Sequence, residues 1–230
     1  MDRPYTPPLG FNLLTPLYDG AIALFTRERT WRAAVVSRLG LQSGDTVVEI
    51  GSGTGAMARS ILSTNPNLIY IGFDPDQHAV SMAEKRIKFH QFVAQFQVQF
   101  FDENAPIPNC LPLKFVCALV LHQTPLVEKR RIIENVFARL PPGGLFILAD
   151  YGLQKTALMK FLFRQTVQRL DGRENTQHNA DGILPDLLEG AGFLISENVD
   201  SFNTLTGTIY VYTASKPDPG ESQSNDLKLL

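Results

Sequence analysis

Thr46-Val47-Val48-Glu49-Ile50-Gly51-Ser52-Gly53-Thr54-Gly55-Ala56-Met57-Ala58-Arg59 is the stretch on which the reading of this chain turns. A β-branched apolar run comes first, three glycines then alternate with small residues, and helix-compatible residues follow. That is the pattern of strand, tight loop and helix. Glycines at this density let the main chain approach a ligand, because no Cβ holds it off, and they supply backbone angles that other residues avoid. The helix start behind them offers unpaired N–H groups. A nucleotide-like ligand lying across the loop is the expectation.

Gly51-x-Gly53-x-x-Ala56 also fits the permissive dinucleotide fingerprint G-x-G-x-x-G/A, so the glycines alone do not choose the ligand. Glu49 does more, because it places a carboxylate two residues before the first glycine, where a pyrophosphate would be repelled. A ligand with a cationic end would not be, and S-adenosylmethionine carries both a sulfonium and an ammonium. E-I-G-S-G-T-G resembles the first motif of the class I S-adenosylmethionine-dependent methyltransferases. The resemblance implies S-adenosyl-L-methionine as cofactor, held at Glu49, Gly51, Ser52, Gly53 and Gly55.

Leu68 to Phe73 is a continuous apolar run, as expected of a strand buried on both faces, and it ends in Asp74-Pro75-Asp76. An acidic residue at the end of the second strand can accept hydrogen bonds from both ribose hydroxyls, which makes Asp74 and the adjoining Pro75 candidate cofactor contacts. The competing role there, N-cap of the next helix, falls more naturally to Asp76. Gln77 to Phe89 reads as a covering helix. Gln95 to Phe100 alternates strictly, with glutamine on one face, and is expected as an edge strand. By the resemblance, an acidic residue after the third strand accepts from the adenine amino group, which points to Asp102 with Glu103 beside it. A solvated turn is the competing reading of those residues.

The fourth strand is expected at Phe115 to Leu121, running into His122-Gln123-Thr124-Pro125. A helix follows from Leu126 to Leu140, and the fifth strand from Leu145 to Ala149 carries Asp150-Tyr151 at its end. L-V-L-H-Q-T-P with P-P-G-G-L-F-I-L-A-D resembles the matching segment of small-molecule methyltransferases, although Gln123 stands where that family often has a second histidine. Ligands in open parallel sheets bind outside the carboxyl ends of the strands. Leu121 is therefore a further candidate cofactor contact, while His122 and Tyr151 are the candidate catalytic residues. His122 could accept a proton from a phenol or hydroxyl, or serve only as a structural hydrogen-bonding group. A metal site of the catechol type would want acidic ligands after both strands, so none is expected.

Toward the N-terminus, residues 1 to 10 are rich in proline, and Phe11 to Thr26 suits two short helices, so residues 1–40 read as an arm and helical cap. The arm resembles that of the ubiquinone/menaquinone-biosynthesis type methyltransferases, whose tyrosine near the cofactor corresponds to Tyr18. A tyrosine merely packed in the cap is the alternative. Residues 41–215 form the cofactor-binding domain. Lys155 to Leu170 is amphipathic and suits either a covering helix or, with the polar Asp171 to Asp181 as a loop, a substrate lid over 155–181. A leucine-rich helix (Gly182 to Gly190) and two strands (Phe193 to Phe202 and Thr208 to Ala214) close the domain, and 216–230 reads as a disordered tail. The fold class expected is α/β: a Rossmann-like seven-strand mixed sheet with helices on both faces, an antiparallel last strand pair and an N-terminal helical cap.

The 230 residues suit one domain with appendages, and 21 basic against 23 acidic residues give a net charge of −2 without a basic block. Nucleic acid is accordingly not an expected partner. Two cysteines make neither a disulfide framework nor a zinc site. No run reaches the ~18 apolar residues of a spanning helix and the start does not read as a signal peptide, so a cytoplasmic protein is expected. Methyl transfer to a small apolar or aromatic acceptor (quinone-like, phenolic or lipid) is the functional expectation, with a second copy of the chain as a candidate partner. A nicotinamide-dependent oxidoreductase, a methyltransferase on protein or RNA, and a non-catalytic S-adenosylmethionine-binding protein are the alternatives.

Overall fold

A computed structural model describes residues 26–108 and 113–218. Tyr18 and the expected N-terminal arm, like most of the expected tail, lie outside the described residues. In chain order the elements are α1 (Glu28–Leu39), β1 (Thr46–Ile50), α2 (Ala56–Thr64), β2 (Ile69–Asp74), α3 (Gln77–Phe89), β3 (Gln95–Val98) and β4 (Leu113–Ala118). A single 3-10 turn (Leu121–Gln123) precedes α4 (Leu126–Arg139) and β5 (Leu145–Tyr151). Then come α5 (Ala157–Gln165), α6 (Val167–Asp171), α7 (Arg173–Ala180), α8 (Leu184–Gly190), β6 (Leu194–Ile195), β7 (Asp200–Thr204) and β8 (Gly207–Ser215).

The strands form one sheet in the order β3-β2-β1-β4-β5-β8-β6, with β7 also paired to β8. β1 to β5 are parallel, and β8 runs antiparallel to β5. The expected sixth strand is present in two pieces on the same edge of β8: Leu194 and Ile195 pair with its end, and Asp200 to Thr204 with its first half. Eight strands by count are thus the mixed seven-strand arrangement with one strand interrupted. Core side chains fall in two layers as the pleat demands. On β1, Val48 and Ile50 join Ile133, Val136, Leu184 and Leu188 on one face, while Val47 joins Trp31, Met57, Ile61 and Leu62 on the other. Among the described residues, no helix is long and apolar enough to cross a membrane.

Three segments differ from their sequence reading. Asp171 to Asp181, expected as a loop, contains α7, whose polar residues hide its helical character because none of them forms an apolar stripe. The amphipathic segment before it breaks at Thr166, whose hydroxyl donates to Leu162 O (2.7 Å) and to Thr206 O (3.3 Å), so α5 and α6 are separate helices. β4 ends at Ala118, three residues early, because Leu119 turns the chain with φ +56. A leucine in the left-handed region is strained by about 1–2 kcal/mol, and the contacts that hold it there are described below.

The glycine loop shows why those residues are required. Gly51, Gly53 and Gly55 have φ of +70, +49 and +77. A Cβ on Gly55 would lie 2.9 Å from Ala83 Cβ and 3.0 Å from its Cα, so α3 rests directly on the loop. Gly55→Ala combines a left-handed alanine with a backbone clash, and is expected to lower stability by about 3 kcal/mol in urea unfolding. A loss within about 0.5 kcal/mol would show that α3 does not bear on the loop.

Candidate functional site

Two groups of residues meet at the carboxyl ends of β1, β2, β4 and β5. The first is built on the glycine loop. Gly51 and Ser52 both donate to Phe73 O (2.8 and 3.0 Å), stapling the loop to β2. Asp74, at the end of that strand, accepts from Gly53 N–H on one carboxylate oxygen (2.8 Å) and from Asp76 N–H on the other (2.9 Å). Burial raises the Asp74 pKa, and those two hydrogen bonds act against it. The capping role goes to Asp76, which accepts from His78 and Ala79 N–H. Each Asp74 oxygen therefore keeps a further lone pair for a ligand.

Among the described residues, a Cβ on Gly53 would meet nothing within 4 Å, so they leave the loop open at this residue. Ser52 is buried against Gly72, and among the described residues its hydroxyl has no hydrogen-bond partner. An open left-handed glycine, an unpartnered buried hydroxyl and a carboxylate with spare acceptor capacity fit a ribose-bearing cofactor. Glu49 is directed into the Trp31 layer, where it accepts from the Tyr70 hydroxyl. Burial raises its pKa well above the usual carboxylate range, and the Arg32 charge offsets this only in part. A buried acid with one hydroxyl donor is a group that a nearby cation would stabilise.

The other acidic candidates lie in the turn after β3. Asp102 accepts Asn104 N–H (2.9 Å) in the turn after β3, and Glu103 pairs with Arg131 on α4 (3.0 Å). Pro75 simply separates Asp74 from Asp76.

The second group is organised by Asp150. One of its oxygens accepts from Val120, Leu121 and His122 N–H (3.1, 2.7 and 3.2 Å), and the other from Tyr151 N–H (2.7 Å) and His122 Nδ1 (2.8 Å). Leu121 is thus fixed through its backbone, with its side chain buried. The opposite imidazole nitrogen, Nε2, lies 3.4 Å from Asp171 Oδ2. Burial pushes the His122 pKa down, but Asp150 and Asp171 more than offset this and raise it to about 9. His122 is therefore an imidazolium at neutral pH in this arrangement. Tyr151 packs edge-on against its ring (5.1 Å between centroids), and its hydroxyl is hydrogen-bonded to Thr206 (2.7 Å).

The two groups touch through Val120: a Cβ on Gly51 would lie 2.2 Å from Val120 Cγ2. The structure thus brings the glycine loop, Asp74, Leu121, His122 and Tyr151 together, and leaves Asp102 and Glu103 in their own turn.

Sequence reasoning did not find Lys129 or Asp171. Lys129 is fully buried on α4, and its amine donates to Asn175 O (2.7 Å) and to Asn179 Oδ1. Burial lowers its pKa to about 8. Its signal was available in principle, because Lys129, Ile133, Val136 and Leu140 fall on one helical stripe. Asp171 had no such signal.

The raised His122 pKa has a definite consequence for stability. Its contribution is fully present below the ordinary value of 6.5 and is lost as pH rises toward 9. Between pH 6.5 and 8 the wild-type protein is expected to lose about 1.5 kcal/mol relative to His122→Gln, in parallel denaturant series. Parallel curves for the two proteins would show that His122 is not an ion-paired cation.

Comparison with known proteins agrees with this architecture. A methyltransferase-domain family matches residues 48–146. O-methyltransferase 3 of Dictyostelium discoideum is 27% identical over 208 residues, covering 80% of this chain and 47% of that protein. The ubiquinone/menaquinone biosynthesis C-methyltransferase of Geotalea daltonii is 20% identical over 226 residues, covering 90% and 94%. The chain thus spans about half of the first relative and nearly all of the second. Human N-acetylserotonin methyltransferase in complex with S-adenosylmethionine superposes with a TM-score of 0.57 at 20% identity, covering 81% of this chain and 52% of that one. The mycolic acid cyclopropane synthase CmaA1 reaches 0.62 at 14% identity, covering 81% and 83%.

Proposed function

Because the chain is a class I S-adenosylmethionine-dependent methyltransferase, we propose that it methylates a small apolar or aromatic acceptor of quinone-like, phenolic or lipid type. The observation that carries this reading is the His122–Asp150 pair beside the glycine loop, at strand ends where an acceptor would meet the cofactor. The relatives are compatible with it, being an O-methyltransferase and a ubiquinone/menaquinone biosynthesis C-methyltransferase.

The cofactor supplies a methyl group already activated by a positive sulfur. Gly51, Ser52, Gly53 and Gly55 would cradle it, with Glu49 toward its charged amino-acid end, Asp74 and Pro75 at the ribose, and Leu121 on the apolar side. Asp102, with Glu103 beside it, is assigned to the adenine amino group by family resemblance, and Tyr18 to the cap over the cofactor. The chain's own work is alignment, exclusion of water and proton handling. His122 Nε2 is the atom that would take an acceptor's hydroxyl proton, while Asp150 holds the ring by Nδ1. Tyr151 contributes an aromatic wall beside that imidazole, and residues 155–181 would cover the acceptor side. The chain would act as a homodimer, and sedimentation at the mass of one copy would remove that part.

Calorimetry with S-adenosylmethionine, followed by release of S-adenosylhomocysteine over a panel of quinols, phenols and lipids, tests the reading. Release with a small acceptor supports it. Tight binding without release, or transfer only to RNA or protein extracts, would remove it. Asp74→Asn is expected to weaken cofactor binding about 10- to 100-fold, the worth of hydrogen bonds to a charged acceptor, and an unchanged affinity would displace Asp74 from the ribose.

A further inference from the structure

With Nδ1 held by Asp150, Nε2 is the nitrogen of His122 that a hydroxyl acceptor could reach, and Asp171 lies against it. The two carboxylates are held very differently. Asp150 is fully buried and takes four backbone N–H groups. Asp171 is 11% exposed and ends the five-residue α6, where the helix dipole disfavours negative charge. Among the described residues, His122 is its one side-chain partner. At 3.4 Å the contact is longer than the ~2.7–2.9 Å of a well-formed charge-assisted hydrogen bond.

The surrounding segment is docked mainly through polar contacts. Gly172 follows with φ +81, and a Cβ on it would meet nothing within 4 Å. The next helix, R-E-N-T-Q-H-N-A, has no large apolar side chain. Polar contacts dock it: Lys129 to Asn175 O and Asn179 Oδ1, Asn175 Nδ2 to Gln123 O (3.0 Å), and Asn179 Nδ2 to Tyr151 O (2.8 Å). Water can replace hydrogen bonds of this kind, whereas exposed apolar side chains gain no such compensation.

We propose that Asp171 is a positioning residue that occupies the acceptor's place on His122 Nε2 and yields it when a hydroxyl acceptor enters, so that His122 becomes a base only in the loaded site. The proposal rests on the methyl-transfer reading above. While both carboxylates face the ring, each nitrogen holds a proton. When Asp171 withdraws, Asp150 on β5 is the remaining facing carboxylate. Lys129 on α4 lies in the field of Asp150, and Tyr151 presents its ring with its hydroxyl bonded to Thr206. The Nε2 proton then passes to water, and the nitrogen lone pair is free to take the acceptor's O–H proton.

The test is a proton NMR titration of the four histidines, with His122→Gln identifying the resonance. Asp171→Asn is expected to lower the His122 midpoint by about one unit or more, the usual effect of one close carboxylate, and Asp171→Glu to restore it. The acid limb of kcat/KM for a hydroxyl acceptor should move down by the same amount, a gain of about tenfold on that limb for each unit. An unmoved midpoint in Asp171→Asn overturns the proposal, as does a lowered midpoint with an unmoved limb or with transfer lost at every pH. If Asp171→Asn is too unstable to titrate, Asp171→Ser carries the same expectations. The titration needs no acceptor, so a wild-type protein that releases no S-adenosylhomocysteine removes the methyl-transfer reading separately, and the midpoint alone then decides whether Asp171 holds His122.

Discussion

A single buried carboxylate, Asp150, holds together the ends of β4 and β5, and the site depends on it. A bare carboxylate in this position would be strongly disfavoured by desolvation. Here it accepts the N–H groups of Val120, Leu121, His122 and Tyr151 as well as the His122 ring. Those donors explain the local chain path. The backbone can present three successive N–H groups to one oxygen only if it leaves the strand sharply, and Leu119 makes that departure in a left-handed conformation. The strain is small beside the set of charge-assisted hydrogen bonds that it permits.

The same turn couples the two halves of the site. Val120, carried out of β4 by the Asp150 contacts, packs onto Gly51 so closely that no side chain could stand there. The glycine loop is fixed on its other side by Phe73 O and by Asp74. The glycine loop and the Asp150 turn are thus parts of one packed unit. A methyl transfer needs this above all, since the donor carbon is already reactive and alignment supplies most of the rate that a protein can add.

Above this rigid floor the covering segment obeys different physics. α5 contributes apolar anchors such as Phe163 and Met159, whereas α7 is tied down by hydrogen bonds, two of them from the buried Lys129 amine. Apolar burial resists rearrangement because exposed hydrocarbon has no compensation in water, while polar groups exchange protein partners for solvent. The more exchangeable contacts are thus the ones beside His122.

Much of this could be read from the chain alone. The β-branched run, the three glycines, the apolar second strand ending in Asp74, the alternating edge strand and the strand ends bearing His122 and Asp150-Tyr151 are all written in neighbouring residues. Periodicity and the steric demands of glycine are local, so they survive without a structure. The tertiary structure alone decided which distant side chains meet. It turned Glu49 toward Tyr70, set Lys129 beneath a polar helix that had looked like a loop, broke the segment at Thr166, and brought Asp171 to His122. The last of these adds to the larger effect of Asp150 on the histidine's charge, because a pKa depends on burial and on every nearby charge. Such neighbours are chosen by packing between segments far apart in sequence, and no local pattern encodes them.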